Sequence, residues 1–232
     1  MIELNKMGHF VYQVNTELVP ATARAGAKSV GSFLYDQEGN RKYLTRSERN
    51  AFLGAARTMA SEVRTFCLVL AYCGARISEV LALTPSSFDP MAGVVIFESL
   101  KKRRRGVFRA VPVPRTLFRE LDTVHSLELG RKDKERSNLR IWPWSRTTAW
   151  KRVQECMQLA GIVGPQATPR GLRHGFGVGN VQAGVPISLV KKWLGHSRLT
   201  TTEIYVDAVG PEEQAIAERF WRSIRRHSGR RR

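Results

Sequence analysis

Residues 61–74, SEVRTFCLVLAYCG, carry Val63, Phe66, Cys67, Leu70 and Ala71 at i, i+3, i+4 spacing and then stop at a glycine. Side chains three and four apart share one face of an α-helix, so the segment predicts a core helix closed by Gly74 as its C-terminal cap. Upstream, Thr45 and Glu48 have the spacing of a capping box ahead of a helix that sets Phe52, Leu53 and Ala56 on one face. Downstream, ARISEVLAL resumes as a short helix ending at Thr84-Pro85, and further helices are expected around 115–127, around 147–159, from Pro169, from Pro186 and from Thr201. GVVIFES and GVFRAVPVP break this pattern and read as two strands flanking the basic turn LKKRRR, a small hairpin. The fold class is mainly α with a small antiparallel β-hairpin.

The ends are less patterned. Residues 1–40 show weak periodicity and a turn signal in DQEGN, and are expected to form an arm with one short helix or strand. GRKDKERSN is charged and expected to be solvated, and the tail RFWRSIRRHSGRRR begins amphipathic and ends in loose positive charge. The organisation expected is an arm over 1–40, a domain over 41–208, and a helix with a basic tail over 209–232.

Charge narrows the partners. Lys and Arg number 38 against 20 Asp and Glu, a formal net charge of +18 in 232 residues, which calls for a polyanion. No run approaches the ~18 apolar residues of a spanning helix, and no N-terminal signal pattern is present, so nucleic acid is favoured over membrane and the expected compartment is the cytoplasm. Cys67, Cys73 and Cys156 form no CxxC pair and read as reduced thiols, the first two as core packing. His9, His125, His174, His196 and His227 show no HxH or HExxH spacing, so neither a metal nor another cofactor is expected.

Three places hold residues fit for chemistry on a phosphate. In ATPRGLRHGFG, Thr168 suits an N-cap and Pro169 a first helical residue, which puts Arg170 and Arg173 three apart beside free backbone N–H groups. A helix N-terminus with two guanidiniums is a phosphate site; the plain alternative is a surface arginine pair set against the helix dipole. In VPISLVKKWLGHS, Ile187, Val190 and Leu194 form an apolar stripe and Gly195 ends the helix, presenting His196 just beyond it. In SRLTTTEIYVDA, Thr200 and Glu203 have capping-box spacing and Tyr205 lies in the first turns, nine positions after His196. Tyr205 is either core filling or a reactive group sharing a site with His196.

Taken in order, these blocks resemble the tyrosine site-specific recombinases, or phage integrases, over roughly Leu44 to Ala208. CGARISEVLAL is similar to the family's first box, with Arg76 as first catalytic arginine and Glu79 as the acidic residue after it. RGLRHGFG resembles the second, with Arg173 as second arginine, Arg170 where histidine is usual, and His174 as a buttress. LGHSRLTTTEIY resembles the third, with His196 as its histidine and Tyr205 as nucleophile. The family's hairpin lysine maps to ESLKKRRRG, with Lys101 preferred over Lys102.

The resemblance implies a site-specific recombinase that integrates, inverts or resolves DNA through a phosphotyrosyl intermediate. Arg76 and Arg173 would clamp the phosphate, Arg170 would be a catalytic residue that alters proton handling in place of the usual histidine, Lys101 would protonate the leaving oxygen, and His196 would assist at the phosphate or in proton transfer. Lys102, Arg103, Arg104, Arg105 and Arg198 would contact DNA. It implies four protomers on two duplexes, with the C-terminal helix (Ala215, Ile216, Phe220 and Trp221) docking on a neighbour or packing on its own domain. With only about 43 residues before the resemblance starts at Leu44, against roughly 100 in a typical small domain, the chain reads as a nearly bare catalytic domain, similar to the short members that invert fimbrial promoters or act on plasmids and mobile elements. The arm or an accessory DNA-bending protein would then help choose the target. The alternatives are a type IB topoisomerase, a DNA-binding accessory or regulatory protein with a degenerate site, for which Arg170 speaks, and a general RNA-binding protein.

Overall fold

The computed structural model describes residues 2–4, 10–12, 34–98, 106–206, 217–218 and 221–222. The chain begins with two short strands, β1 (Ile2–Leu4) and β2 (Phe10–Tyr12), paired antiparallel with Ile2 opposite Tyr12. A single short element was expected here, because strands this short carry too few alternating positions to register as a pair. The DQEGN turn forms as expected: Asp36 Oδ1 accepts from the N–H groups of Glu38 at 3.1 Å and Asn40 at 2.7 Å.

Helix α1 (Arg46–Thr58) starts on the predicted capping box, with Thr45 accepting from the Glu48 N–H while the Glu48 carboxylate accepts from the Thr45 N–H. The same carboxylate takes Arg41 and the Gln166 amide, tying the start of α1 to a loop more than a hundred residues away. Helix α2 (Ser61–Cys73) ends at Gly74, whose left-handed φ of 56° lets its N–H reach Leu70 O. Leu68 and Val69 are buried along with the predicted Val63, Phe66, Cys67 and Leu70, so α2 is covered on nearly every side.

Around α2 pack α1, α3 (Ile77–Leu81), α4 (Arg115–His125), α6 (Arg146–Leu159) and α7 (Pro169–Gln182). Trp142, fully buried, donates its indole N–H to Glu62 O at 3.0 Å and meets Phe66 edge-on, 5.3 Å between ring centres. The helix expected around 115–127 is split: Ser126 takes a left-handed φ of 52°, α4 ends before it, and α5 (Leu127–Lys132) starts after it. The GRKDKERSN charges are exposed as expected, although the stretch begins inside α5.

The two predicted strands are β4 (Val94–Glu98) and β5 (Phe108–Pro112), and a third, β3 (Phe88–Asp89), extends the sheet in the order β3-β4-β5, all antiparallel. Alternation turns Val95 and Phe97 of β4, and Arg109 and Val111 of β5, into the core. A second, smaller core joins α7, α8 (Ile187–Leu194) and α9 (Thr200–Glu203) through Phe176, Val178, Val190, Leu194, Ile204 and Tyr205, with Leu34 and Tyr43 beneath. Among the described residues no helix is long and apolar enough to cross a membrane.

One predicted cap is absent. Helix α9 starts from Leu199, itself in helical conformation, and no side-chain cap bond forms. Thr200 is already the first helical residue, so the Thr200 and Glu203 capping box is overturned. Trp221 is exposed, while the other apolar residues expected on the C-terminal helix, Ala215, Ile216 and Phe220, lie outside the described residues.

Candidate active site

Helix ends assemble the site. Gly74 closes α2 and turns the chain so that Arg76 becomes the residue capping α3. Its N–H donates to Glu79 Oε2 at 2.8 Å and its Nη1 to Glu79 Oε1 at 2.8 Å, while the Arg76 side chain stays 29% exposed and Glu79 is buried. The guanidinium is thus oriented from behind and open in front.

Arg173 comes from α7, which starts as predicted with Thr168 accepting from the Gly171 N–H and Pro169 at its head. It is buried, donating from Nη1 to Gly74 O at 2.8 Å and from Nη2 to Leu194 O at 2.7 Å. Both acceptors are carbonyls at the C-terminal ends of helices, the last turn's negative pole, which offsets the repulsion expected of an arginine near a helix N-terminus. Burial, with repulsion from Arg76, pushes Arg173 down to about 10, so it remains charged at neutral pH. The pairing of Arg170 with Arg173 on one face is not kept: Arg173 turns inward and Arg170 is exposed at the rim, within electrostatic range of His174.

Tyr205 lies in the turn after α9 and is only 2% exposed. Its hydroxyl is 3.1 Å from His174 Nδ1. Its ring rests on bare backbone at Gly177, where a Cβ would stand 2.6 Å from the ring. Burial pushes the phenol up to about 12, against the pull of Arg173 and Arg76, and burial with Arg173 and Arg170 pushes His174 down to about 4. With the phenol protonated and the imidazole neutral, the His174 tautomer protonated at Nε2 leaves Nδ1 bare to accept the phenol O–H. His196 follows Gly195, whose left-handed φ of 68° ends α8. Its ring stacks on Tyr205 at 6.2 Å and 20°, its Nδ1 is 2.9 Å from Thr202 Oγ1, and burial with the two arginines pushes it down to about 3.

Arg76, Glu79, Arg173, His174, His196 and Tyr205 are therefore gathered, all from residues the sequence singles out. Arg198 is exposed on the α8–α9 connection, and Lys101, Lys102, Arg103, Arg104 and Arg105 lie outside the described residues. A cleft of about 260 Å³ opens beside His196, between β5 and α8, with Phe108, Ser188, Lys191 and Lys192 on its walls. Three residues of the site escape the sequence reading: Arg109, Thr202 and Gly177. Arg109 carries a local signal, a charge on the inward phase of an alternating strand; Gly177 sits in GFGVGN; Thr202 carries none. Among the described residues no three His, Cys, Asp or Glu side chains group as metal ligands.

A helical domain with a three-stranded antiparallel sheet, bringing two arginines, two histidines and a tyrosine together from helix ends, has the architecture of a tyrosine recombinase catalytic domain. The chain belongs to the phage integrase family, whose model matches residues 42–210. It is 29% identical over 170 residues to tyrosine recombinase XerA of Thermococcus kodakarensis, covering 71% of this chain and 57% of that protein. It is 34% identical over 141 residues to tyrosine recombinase XerD of Mycobacterium tuberculosis, covering 57% and 43%. The chain thus spans about half the length of these relatives. Its fold is shared with the crystal structure of the XerH site-specific recombinase bound to difH substrate in a pre-cleavage complex, at a TM-score of 0.59 and 20% identity over 82% of this chain and 62% of that one.

Proposed function

We propose that the protein is a site-specific recombinase that cuts and rejoins double-stranded DNA through a phosphotyrosyl intermediate, with integration, inversion or resolution as the outcome. The observation that carries the reading is the setting of Tyr205, whose hydroxyl rests on one neutral imidazole, whose ring stacks on another, and whose phenol feels two guanidiniums.

Each part has a task. The phenol oxygen attacks phosphorus and its proton passes to His174 Nδ1, 3.1 Å away, in the tautomer protonated at Nε2. Arg76 and Arg173 face the charge that grows on the phosphoryl oxygens, and their fixed frame makes this stabilisation available without reorganisation. The phosphorus–oxygen bond to the leaving deoxyribose breaks, and Lys101 protonates that oxygen. His196 donates to the phosphate, while Arg170 adds positive charge at the rim. Reversal by an incoming hydroxyl restores the phenol, so the link conserves bond energy and rejoining needs no nucleotide.

The net charge of +18 supports duplex DNA as partner, with Lys102, Arg103, Arg104, Arg105 and Arg198 on its backbone. The reading extends to a tetramer on paired sites, a catalytic unit over 41–208, a docking helix and basic tail over 209–232, an arm over 1–40 that supplements target choice, and an accessory DNA-bending protein, all in the cytoplasm.

The test is a nicked duplex bearing a sequence selected by its binding to the protein, incubated with EDTA and resolved on denaturing gels. A covalent adduct with the wild type that is absent for Tyr205→Phe supports the proposal. No adduct on DNA the protein demonstrably binds overturns it in favour of a binding factor with a degenerate site.

A further inference from the structure

A fully charged side chain on the core-facing side of a strand needs a reason, because burying a guanidinium costs far more than burying the valine that alternation would favour there. Arg109 of β5 is 7% exposed and faces inward beside Val111. Its Nη2 donates to Glu79 Oε2 at 2.7 Å and its Nη1 to Glu79 Oε1 at 3.3 Å, a two-pronged pair. Its Nε donates to Trp193 O at 2.8 Å, in the last turn of α8. Its guanidinium lies 4.9 Å above the ring of Phe97, its cross-strand partner. The stem passes Gly195, where a Cβ would come within 3.0 Å of it. One side chain thus joins the sheet, the start of α3 and the end of α8.

The consequence for Glu79 is that both carboxylate oxygens are fully engaged. Oε2 takes the Arg76 N–H and Arg109 Nη2; Oε1 takes Arg76 Nη1 and Arg109 Nη1. Burial alone would raise this carboxyl, and the charge and hydrogen bonds of Arg109, followed by those of Arg76, hold it below the usual carboxylate range. In charge terms Arg109 and Glu79 cancel, and the charge of Arg76 remains available at the open side of the site. Were Arg109 missing, Glu79 would find its neutralising partner in Arg76 alone and draw that guanidinium back.

We infer that Arg109 is a positioning residue of the reaction: by satisfying Glu79 from behind, it presents Arg76 to the scissile phosphate, and through Trp193 it sets the same reference for the end of α8 that carries His196. Arg109 is 7% exposed where it borders the cleft beside His196, and its guanidinium nitrogens are engaged by Glu79 and the Trp193 carbonyl. The inference rests on the proposed DNA-cleaving reading and names a residue of that same site.

The test compares adduct formation by wild type and Arg109→Lys on two nicked duplexes, one with an ordinary scissile phosphate and one with a neutral methylphosphonate there. Lysine keeps the charge but cannot span Glu79 and the Trp193 carbonyl together. Expected for Arg109→Lys is an unchanged duplex affinity, adduct formation about 10²-fold slower on the phosphate, as misplacement of a catalytic group by about 1 Å gives, and a loss of only a few fold on the neutral substrate, where no charge awaits Arg76. A merely structural role would slow both substrates alike, and that outcome, or an unimpaired Arg109→Lys, overturns the inference. If circular dichroism shows Arg109→Lys unfolded, the pair Glu79→Gln with Arg109→Gln, which removes both buried charges at once, is read by the same ratio. Loss of the native fold in both proteins also overturns it, since Arg109 is then a core ion pair alone. A wild type that forms no adduct on either duplex bears on the proposed function instead.

Discussion

Replacing Gly177 by alanine puts a methyl group 2.6 Å from Cε2 and Cζ of Tyr205 and 2.8 Å from Cδ2. Carbon atoms rest at roughly 3.5–4.0 Å, so the ring must retreat by about 1 Å or α7 must bow. Overpacking of this kind costs about 1–3 kcal/mol, and the better helix propensity of alanine returns about 1 kcal/mol. At roughly 2–4 °C per kcal/mol for a chain of this size, the net cost lowers Tm by anything from about 0 to 8 °C, too wide a range to make Tm a good reporter. The phenol is the sensitive one. Its value of about 12 is a product of burial; a ring pushed off its seat loses the His174 contact and regains water, so its titration moves toward ~10. A tyrosine whose folded value is raised gives stability that is fully present below the unfolded value and is lost as pH rises through the folded one. The wild type therefore forfeits about 2–3 kcal/mol between roughly pH 10 and 12, and Gly177→Ala forfeits less. Carbon-13 NMR of protein labelled at tyrosine Cζ reads this directly, with Tyr205→Phe assigning the signal among five tyrosines. A midpoint that stays near 12 in Gly177→Ala refutes the view that bare backbone at 177 creates the seat.

Two further outcomes are expected. Burial pushes His125 to about 4, and burial with neighbouring cations pushes His174 to about 4 and His196 to about 3. All three are neutral in the fold and must take up protons once exposed, so stability is lost as pH falls through ~6.5; by pH 5.5 the loss is about 2–3 kcal/mol, with the partly solvated His125 discounted. Urea unfolding at pH 7.5 and 5.5 checks it, and equal midpoints would refute it. Thr202→Val removes the hydroxyl 2.9 Å from His196 Nδ1 at nearly constant volume. One lost hydrogen bond of about 1 kcal/mol predicts adduct formation about five- to tenfold slower at saturating DNA; a rate equal to wild type refutes a holding role for Thr202.

The parts of this fold that the sequence reveals are those decided within one turn of chain. Thr45 and Glu48 bond across three residues, and Gly74 answers to its own φ, so α1 and α2 are legible at both their apolar faces and their predicted caps. Thr200 and Glu203 have the same spacing as Thr45 and Glu48, yet Leu199 has already entered the helix and the box has no place to form. Ser126 carries no breaker signal and still divides a helix. At the site, the residues presented by helix ends are legible because caps mark those ends. Arg109 shows only its inward phase on β5; its task is not legible, since its partners Glu79 and Trp193 lie 30 and 84 positions away and only the fold brings them near. Thr202 and Gly177 matter for the same reason: one touches His196 and the other leaves room for Tyr205, and no local pattern encodes either contact.

Arg173 grips the carbonyls of Gly74 and Leu194, each two residues ahead of a residue that works at the site, Arg76 in one case and His196 in the other. A single rigid plane therefore gives two distant stretches of backbone a common origin of coordinates, and neither can drift without pulling on the other. For anyone transplanting this chemistry into another scaffold, the portable unit is larger than the side chains that face the phosphate: a graft that copies Arg76, His196 and Tyr205 but omits the two helix ends fastened to one guanidinium carries the tools without the bench on which they are aligned.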